Sequence, residues 1–314
     1  MHLRRLGLAW LFFVAMAAAA HAQGPQVVFT FDDLPAHGPL PPGMTRPMPV
    51  KSILATLKAE KMPPVYGFAN GYRVAQYPYQ IEILDAWRAA GEPIGSHTWS
   101  HPELDLMTAQ GYIDDIKQNE PLLKRVHPVG DWHWFRYPFL EEGNTLAKRD
   151  AVRSWLFRNG YHVAEISLDF QDYNWNDAYA RCALKHDERA IKDLHDTYLQ
   201  AASEASKAFR QLSHTLYGRD IPYILLMHVG AFDAKMLPEL IQQFRSEGYS
   251  FIKLEQAEAD DAYQFDPHVT TKGGSTFMEQ VAAARKVTVP ELPDFTDELN
   301  KACRESKESG KVKE

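Results

Sequence analysis

The chain has 314 residues, with 41 Asp and Glu against 34 Lys and Arg, giving a formal charge of −7. This acidic balance shows no basic stripe of the kind that binds nucleic acid or anionic lipid, so no nucleic-acid partner is expected. The length suits one large domain or two small ones, and no internal repeat is visible.

The first 24 residues read MHLRRLGLAWLFFVAMAAAAHAQG. Arg4 and Arg5 precede an apolar run from Leu6 to Ala20, and small residues stand at Ala20 and Ala22. That order is a secretory signal peptide over residues 1–22, cut after Ala22. The run is shorter than the roughly 20 residues a membrane span needs, and no later segment is apolar enough. Cleavage removes two Arg and no acid, moving the formal charge from −7 to −9. A periplasmic or secreted protein with no membrane span after cleavage is expected.

From there, short apolar runs alternate with amphipathic stretches. QVVFTF (26–31) reads as a buried strand, VKSILATLKAEK (50–61) as a helix and PVYGFAN (64–70) as a strand. YQIEILDAWRAAG (79–91) is helical with a Gly stop, and EPIGSHT (92–98) is the next strand. YIDDIKQNEPLLKRV (112–126) is helical, and Pro121 should bend or break it. WHWFRYPF (132–139), YHVAEISLDF (161–170), IPYILLMHVG (221–230) and YSFIKL (249–254) read as strands. NTLAKRDAVRSWLFRNG (144–160) and KMLPELIQQFRSEG (235–248) read as helices between them. Seven strands alternating with helices imply an α/β fold, either a barrel or a doubly wound sheet. The expected division is a domain over 23–259, with a polar, Ala-rich helical insertion at about 176–216. A C-terminal polar extension over 260–314 follows, with one helix near STFMEQVAAARK. An oxidising compartment permits a disulfide between Cys182 and Cys303, and sequence leaves that open.

Polar residues recur at strand ends. Asp32 and Asp33 close the first strand, His97 the third, Arg136 the fourth and His228 the sixth, with Asp169 and Asp172 after the fifth. In a barrel of parallel strands these ends converge on the face where active sites form. His97 and His101 stand four apart in GSHTWSHP, a spacing that on a helix would bring both rings to one ion. Metalloproteases put a Glu directly after the first His; here it is Thr98, so a base must come from elsewhere. Asp33, His97 and His101 supply one carboxylate and two imidazoles and leave coordination positions open, as a catalytic centre requires. Such donors suit a divalent metal, Zn²⁺ first, with Co²⁺, Ni²⁺ or Fe²⁺ as alternatives. The same triad serves non-haem iron oxygenases, usually on a different β architecture. Asp32 is then free to act as general base, held by Arg136. His228 can protonate a leaving group, with Asp172 or Asp169 fixing its tautomer. His37, His127, His133 and His162 take the ordinary structural reading, His37 being close enough to the Asp pair to line a pocket.

TFDD, HTWSH, RYPF, DFQDY and LMH, in that order over about residues 26–254, resemble the motifs of the polysaccharide deacetylases with a NodB homology domain (carbohydrate esterase family 4). The resemblance implies a distorted (β/α) barrel of about seven parallel strands and metal-dependent removal of N- or O-acetyl groups from carbohydrate. It implies a metal-bound water as nucleophile and an acetylated glycan or oligosaccharide as substrate. By position it makes Asp32 the base, Asp33, His97 and His101 the metal ligands, and Arg136 the tether of Asp32. His228 becomes the acid tuned by Asp172, and the backbone N–H of Phe139 an oxyanion donor. Phe139 and Tyr173 stand where the family has Tyr and Trp, and Trp175 is near; the second change bears on substrate fit. A non-sugar linear or cyclic amide on the same fold, and a non-catalytic glycan-binding envelope protein, are the alternative readings.

Overall fold

The computed structural model describes residues 24–126 and 129–304; the expected signal peptide and His127 lie outside the described residues. All seven expected strands form: β1 (Gln26–Leu34), β2 (Tyr66–Ala69), β3 (Ile94–Ser96), β4 (Trp134–Phe135), β5 (His162–Val163), β6 (Tyr223–His228) and β7 (Ser250–Phe251). They make one sheet in the order β5-β4-β3-β2-β1-β6, with β7 on the start of β1, and every pairing is parallel. The continuous apolar run of β1 is explained by its central place. From Val27 to Leu34 it is buried throughout, as a parallel strand covered on both faces must be.

The chain from 162 to 168 curls the sheet toward a barrel. Its start pairs with β4, and Leu168 bridges Leu225 of β6, so one segment touches both ends of the strand order. The expected single strand over 161–170 is therefore split. Between its two halves, the Ala164 carbonyl accepts from Arg136 Nε at 2.6 Å and the Ile166 carbonyl from the Phe277 N–H at 2.6 Å. These partners take the bonds a continuous ladder would have used.

Helices α1 (Pro47–Ala59), α2 (Gly71–Gln76), α3 (Ile81–Ala89), α4 (Ala109–Val126) and α5 (Leu146–Arg158) fill the first half. Of the bend or break expected at Pro121, the break does not occur, and α4 runs through the proline. The helix continues because Tyr112, Ile113 and Ile116 before the proline and Leu123 and Val126 after it are all buried, and this packing outweighs one missing backbone bond. The insertion is a pair of helices, α6 (Asn174–Leu184) and the 30-residue α7 (Glu188–Tyr217). Asp187 caps α7 at the Ala190 N–H, and Gly218 ends it in the left-handed conformation. A stripe from Leu194 through Tyr198, Ala202, Phe209 and Leu216 faces the core. Helices α8 (Ala231–Ser246) and α9 (Leu254–Glu258) follow, and no helix among the described residues is long and apolar enough to cross a membrane.

The C-terminal extension holds more structure than its polar composition suggests. Besides the expected helix, α10 (Phe277–Arg285), it contains α11 (Thr296–Lys301). A capping box between Thr276 and Glu279 starts α10. Phe277, Met278, Val281 and Ala282 join the same hydrophobic core as β1 and β6. Cys182 of α6 and Cys303 beyond α11 form a disulfide across 121 residues. Closing so long a loop restricts the unfolded chain, a stabilisation of about 2–5 kcal/mol. Replacing both cysteines by Ser should lower the urea or thermal unfolding midpoint accordingly; an unchanged midpoint would contradict this anchoring role.

Candidate active site

The two acids of TFDD face one cavity because the backbone turns between them. Asp32 still pairs with His228 across β1 and β6, but the ladder to β2 slips between Phe31 and Leu34, and Asp33 takes a left-handed φ of 65°. Such an irregularity re-aims a side chain that regular alternation would send to the opposite face. Asp tolerates the conformation better than most residues.

The His-x-x-x-His segment is a loop, not a helix turn. Thr98 and His101 have φ of 64° and 58°, which folds the chain back and brings the two rings to 4.9 Å. Asp115 holds the loop by accepting from the Trp99 and Ser100 N–H groups at 2.7 and 2.9 Å. The His97 Nδ1–H donates to the Arg136 carbonyl at 2.8 Å, which leaves Nε2 bare toward the cavity. His101 Nε2 lies 3.4 Å from Asp33 Oδ1, and His97 Nε2 lies 3.8 Å from the same oxygen. A tetrahedral centre with bonds of about 2.0–2.2 Å has ligand edges of roughly 3.3–3.6 Å, so these three groups fit a metal ion with little movement. Burial and the neighbouring His97 push the His101 imidazole down to about 4, keeping it neutral and able to ligate. Burial raises Asp33, but its bond to His37 and the surrounding imidazoles outweigh that and hold it well below the usual carboxylate range.

Asp32 is tied to a buried arginine. Arg136 Nη1 lies 3.2 and 3.4 Å from its two oxygens, Nη2 donates to Thr30 Oγ1, and the guanidinium stacks on Phe68. On the facing side, His228 Nδ1–H donates to Asp172 Oδ1 at 2.8 Å, and its backbone N–H to Asp172 Oδ2 at 2.6 Å. Burial lowers His228, but Asp172 overrides it and raises the imidazole to about 10. The choice between Asp169 and Asp172 thus falls to Asp172; Asp169 instead accepts from the Gln171 N–H. Tyr173 sets its ring edge-on to His228 at 5.2 Å, whereas Trp175 is buried away from the cavity and bonds Thr197. His133 stacks on Trp132 beside Asp131, and His162 is exposed on the sheet edge, both apart from the site.

Two contributors carry weaker sequence signals. His37 reads as an ordinary residue, yet its Nδ1 lies 2.6 Å from Asp33 Oδ2 and its ring 4.7 Å from that of His228. Its position four residues after Asp33 was the available clue. The other is the stretch 271–276, whose TKGGST composition says only loop. Phe139 and Leu140 both have left-handed φ, 57° and 54°. The Phe139 N–H has no acceptor among the described residues, while the Leu140 and Glu141 N–H groups bond the Tyr137 and Pro138 carbonyls. The extension clamps this turn: Ser275 N–H donates to the Leu140 carbonyl, Glu142 N–H to Thr271 Oγ1, and Thr271 N–H to the Gly143 carbonyl. Gly274 passes so close that a Cβ there would stand 2.0 Å from the Phe139 oxygen. Asp32, Asp33, His37, His97, His101, Phe139, Tyr173, His228 and the strap Gly273–Thr276 line one cavity of about 520 Å³.

Residues 19–160 match the family model described as polysaccharide deacetylase. The matched stretch holds Asp32, Asp33, His97, His101, Arg136 and Phe139 and ends before Asp172 and His228. The chain is 27% identical to a chitin deacetylase of a Pestalotiopsis species, over 42% of this chain and 44% of that protein. It is 25% identical to the peptidoglycan-N-acetylmuramic acid deacetylase of Bacillus subtilis, over 61% of this chain and 36% of that protein. It therefore spans less than half the length of these curated relatives. Among solved structures, a pseudoenzyme of the CE4 family from Bacillus anthracis shares the fold at 15% identity and a TM-score of 0.51, covering 76% of this chain and 66% of that one.

His97→Ala and His101→Ala should each weaken Zn²⁺ binding by at least about tenfold, read by calorimetric titration with circular dichroism as the folding control. Undiminished affinity in both would rule out this ligand set.

Proposed function

We propose that the protein is an exported, metal-dependent hydrolase that removes acetyl groups from an N-acetylated or O-acetylated carbohydrate. One observation carries the reading: the carboxylate of Asp32, the Asp33–His97–His101 donors and the His228 imidazole line a single cavity. A divalent cation held by Asp33, His97 and His101, Zn²⁺ by preference, would polarise the acetyl carbonyl and acidify water.

The protein's own groups perform the remaining work. Asp32 takes the proton of the attacking water. Arg136 keeps that carboxylate aimed, with Nη1 reaching both of its oxygens. The Phe139 N–H receives charge developing on the carbonyl oxygen. His228 carries a proton on Nε2 at neutral pH, since its other nitrogen is engaged by Asp172, and delivers it to the departing amine or alkoxide. Tyr173 packs beside His228 and narrows the space for the acetyl methyl. The strap keeps the Phe139 turn in a conformation that two non-glycine residues would not hold unaided.

A non-sugar amide is the second reading. It draws on the extension, since Gly273–Thr276 and Leu292 narrow the cavity from one side. Acetate released from chitin oligomers or peptidoglycan favours the sugar; bound metal with no acetate from any glycan favours the amide. A non-catalytic glycan binder would have no use for a base, a ligand set and an acid on one cavity.

Asp32→Asn should lower acetate release by roughly 10²–10⁴ while Zn²⁺ still binds. Near wild-type release would sink the base assignment. Gly274→Ala should push the Phe139 turn out of place, cutting kcat by roughly tenfold or more with little change in KM. An unaltered kcat would remove the strap from the mechanism.

A further inference from the structure

Asp33 presents its two oxygens to two different pairs of histidines. Oδ1 faces His97 and His101, at 3.8 and 3.4 Å from their Nε2 atoms. Oδ2 faces the other way, 2.6 Å from His37 Nδ1. The His37 ring lies 4.7 Å from that of His228, and Asp33, His37 and His228 offer donor atoms within 4.8 Å of one another. Asp172 occupies His228 Nδ1, so the nitrogen left for a ligand is Nε2. The backbone holds this second group as firmly as the first. His37 N–H donates to the Val229 carbonyl at 3.0 Å, and Val229 N–H to the Asp32 carbonyl at 3.3 Å. Arg46 Nη1 pins the next residue by donating to the Gly38 carbonyl at 2.5 Å.

We propose that Asp33, His37 and His228 form a second divalent-cation site, joined to the first through the Asp33 carboxylate, and that a cation bound there inhibits the enzyme. Two imidazoles and one carboxylate are the donors Zn²⁺ takes readily, with positions left for water. A carboxylate giving one oxygen to each set suits two cations at the roughly 3.5–4 Å separation of paired metal sites. Binding moves two protons. His37 passes its Nδ1 proton to Nε2 through water and ligates through Nδ1. His228 loses its Nε2 proton to solvent and gives that lone pair to the cation. The His37–Asp33 contact opens by roughly 0.7 Å to a ligand edge. With Nε2 occupied, His228 has no proton for a leaving group, so the second cation stops turnover. The site stands on its own geometry; only its inhibitory effect rests on the function proposed above.

The test is a zinc count paired with an activity titration. After equilibrium dialysis against Zn²⁺, wild type should hold two zinc ions by mass spectrometry of the metal, and His37→Asn one. Asn places an amide N–H where Nδ1 stands, keeping the bond to Asp33 without offering a ligand nitrogen. Acetate release by metal-free wild type should rise to about one equivalent of Zn²⁺ and fall at least tenfold as the second fills. His37→Asn, scaled to its own maximum, should lack the fall. Wild type saturating at one zinc, or His37→Asn retaining two, overturns the site. Two zinc ions without the fall overturn the inhibition. The count needs no substrate, so a protein that released no acetate from any glycan would still support or overturn the site by its zinc content.

Discussion

The site depends on one buried ion pair. Arg136 is almost wholly inaccessible, and so is Asp32. An isolated charge in such a place is costly, so each must be answered by the other and by further hydrogen bonds. Arg136 spends its donors on Asp32, Thr30 and the Ala164 carbonyl, while its own carbonyl receives the His97 ring. Through that one residue the base, a metal donor and the gap in the curled sheet are fixed to one another. Removing either charge would leave its partner buried and unanswered, at about 3–5 kcal/mol.

The second constraint is the number of left-handed residues around the cavity. Asp33, Thr98, His101, Phe139, Leu140 and Gln171 all have positive φ. Asp33, His101, Phe139, Leu140 and Gln171 line the cavity, and the Thr98 hydroxyl accepts the His101 N–H. Left-handed non-glycine residues persist only where their surroundings over-determine them. Asp115 does this for the histidine loop, and the strap of the extension for the Phe139 turn. The extension, anchored by α10 in the core and by the disulfide to α6, is thus part of the site's support.

The strands were legible in the sequence because each is a short apolar run bounded by turn residues, and β1 is apolar from Val27 to Phe31 apart from Thr30. The ends of those strands were legible for the same reason: Asp32, His97, Arg136 and His228 each interrupt an apolar run. What stayed hidden was set by contacts between distant segments. YHVAEISLDF has the pattern of one strand, and nothing in it says that Arg136 and Phe277 take the carbonyls of its middle. Pro121 argues locally for a broken helix, and only tertiary packing keeps α4 whole. His37 and the Gly-Gly turn of the strap carry no period or motif, so their places at Asp33 and Phe139 emerge only in three dimensions. His97 and His101 had the spacing of a helical pair but reach one cavity by a loop with two left-handed residues.

The chemistry proposed for this cavity is hydrolysis of acetyl groups with the help of a metal ion. The most direct measurement is acetate release from chitin oligomers and peptidoglycan by the full chain, before chelation, after it and after Zn²⁺ is returned. Metal-dependent hydrolysis requires release that chelation abolishes and about one equivalent of Zn²⁺ restores. Release that survives complete removal of metal would contradict it.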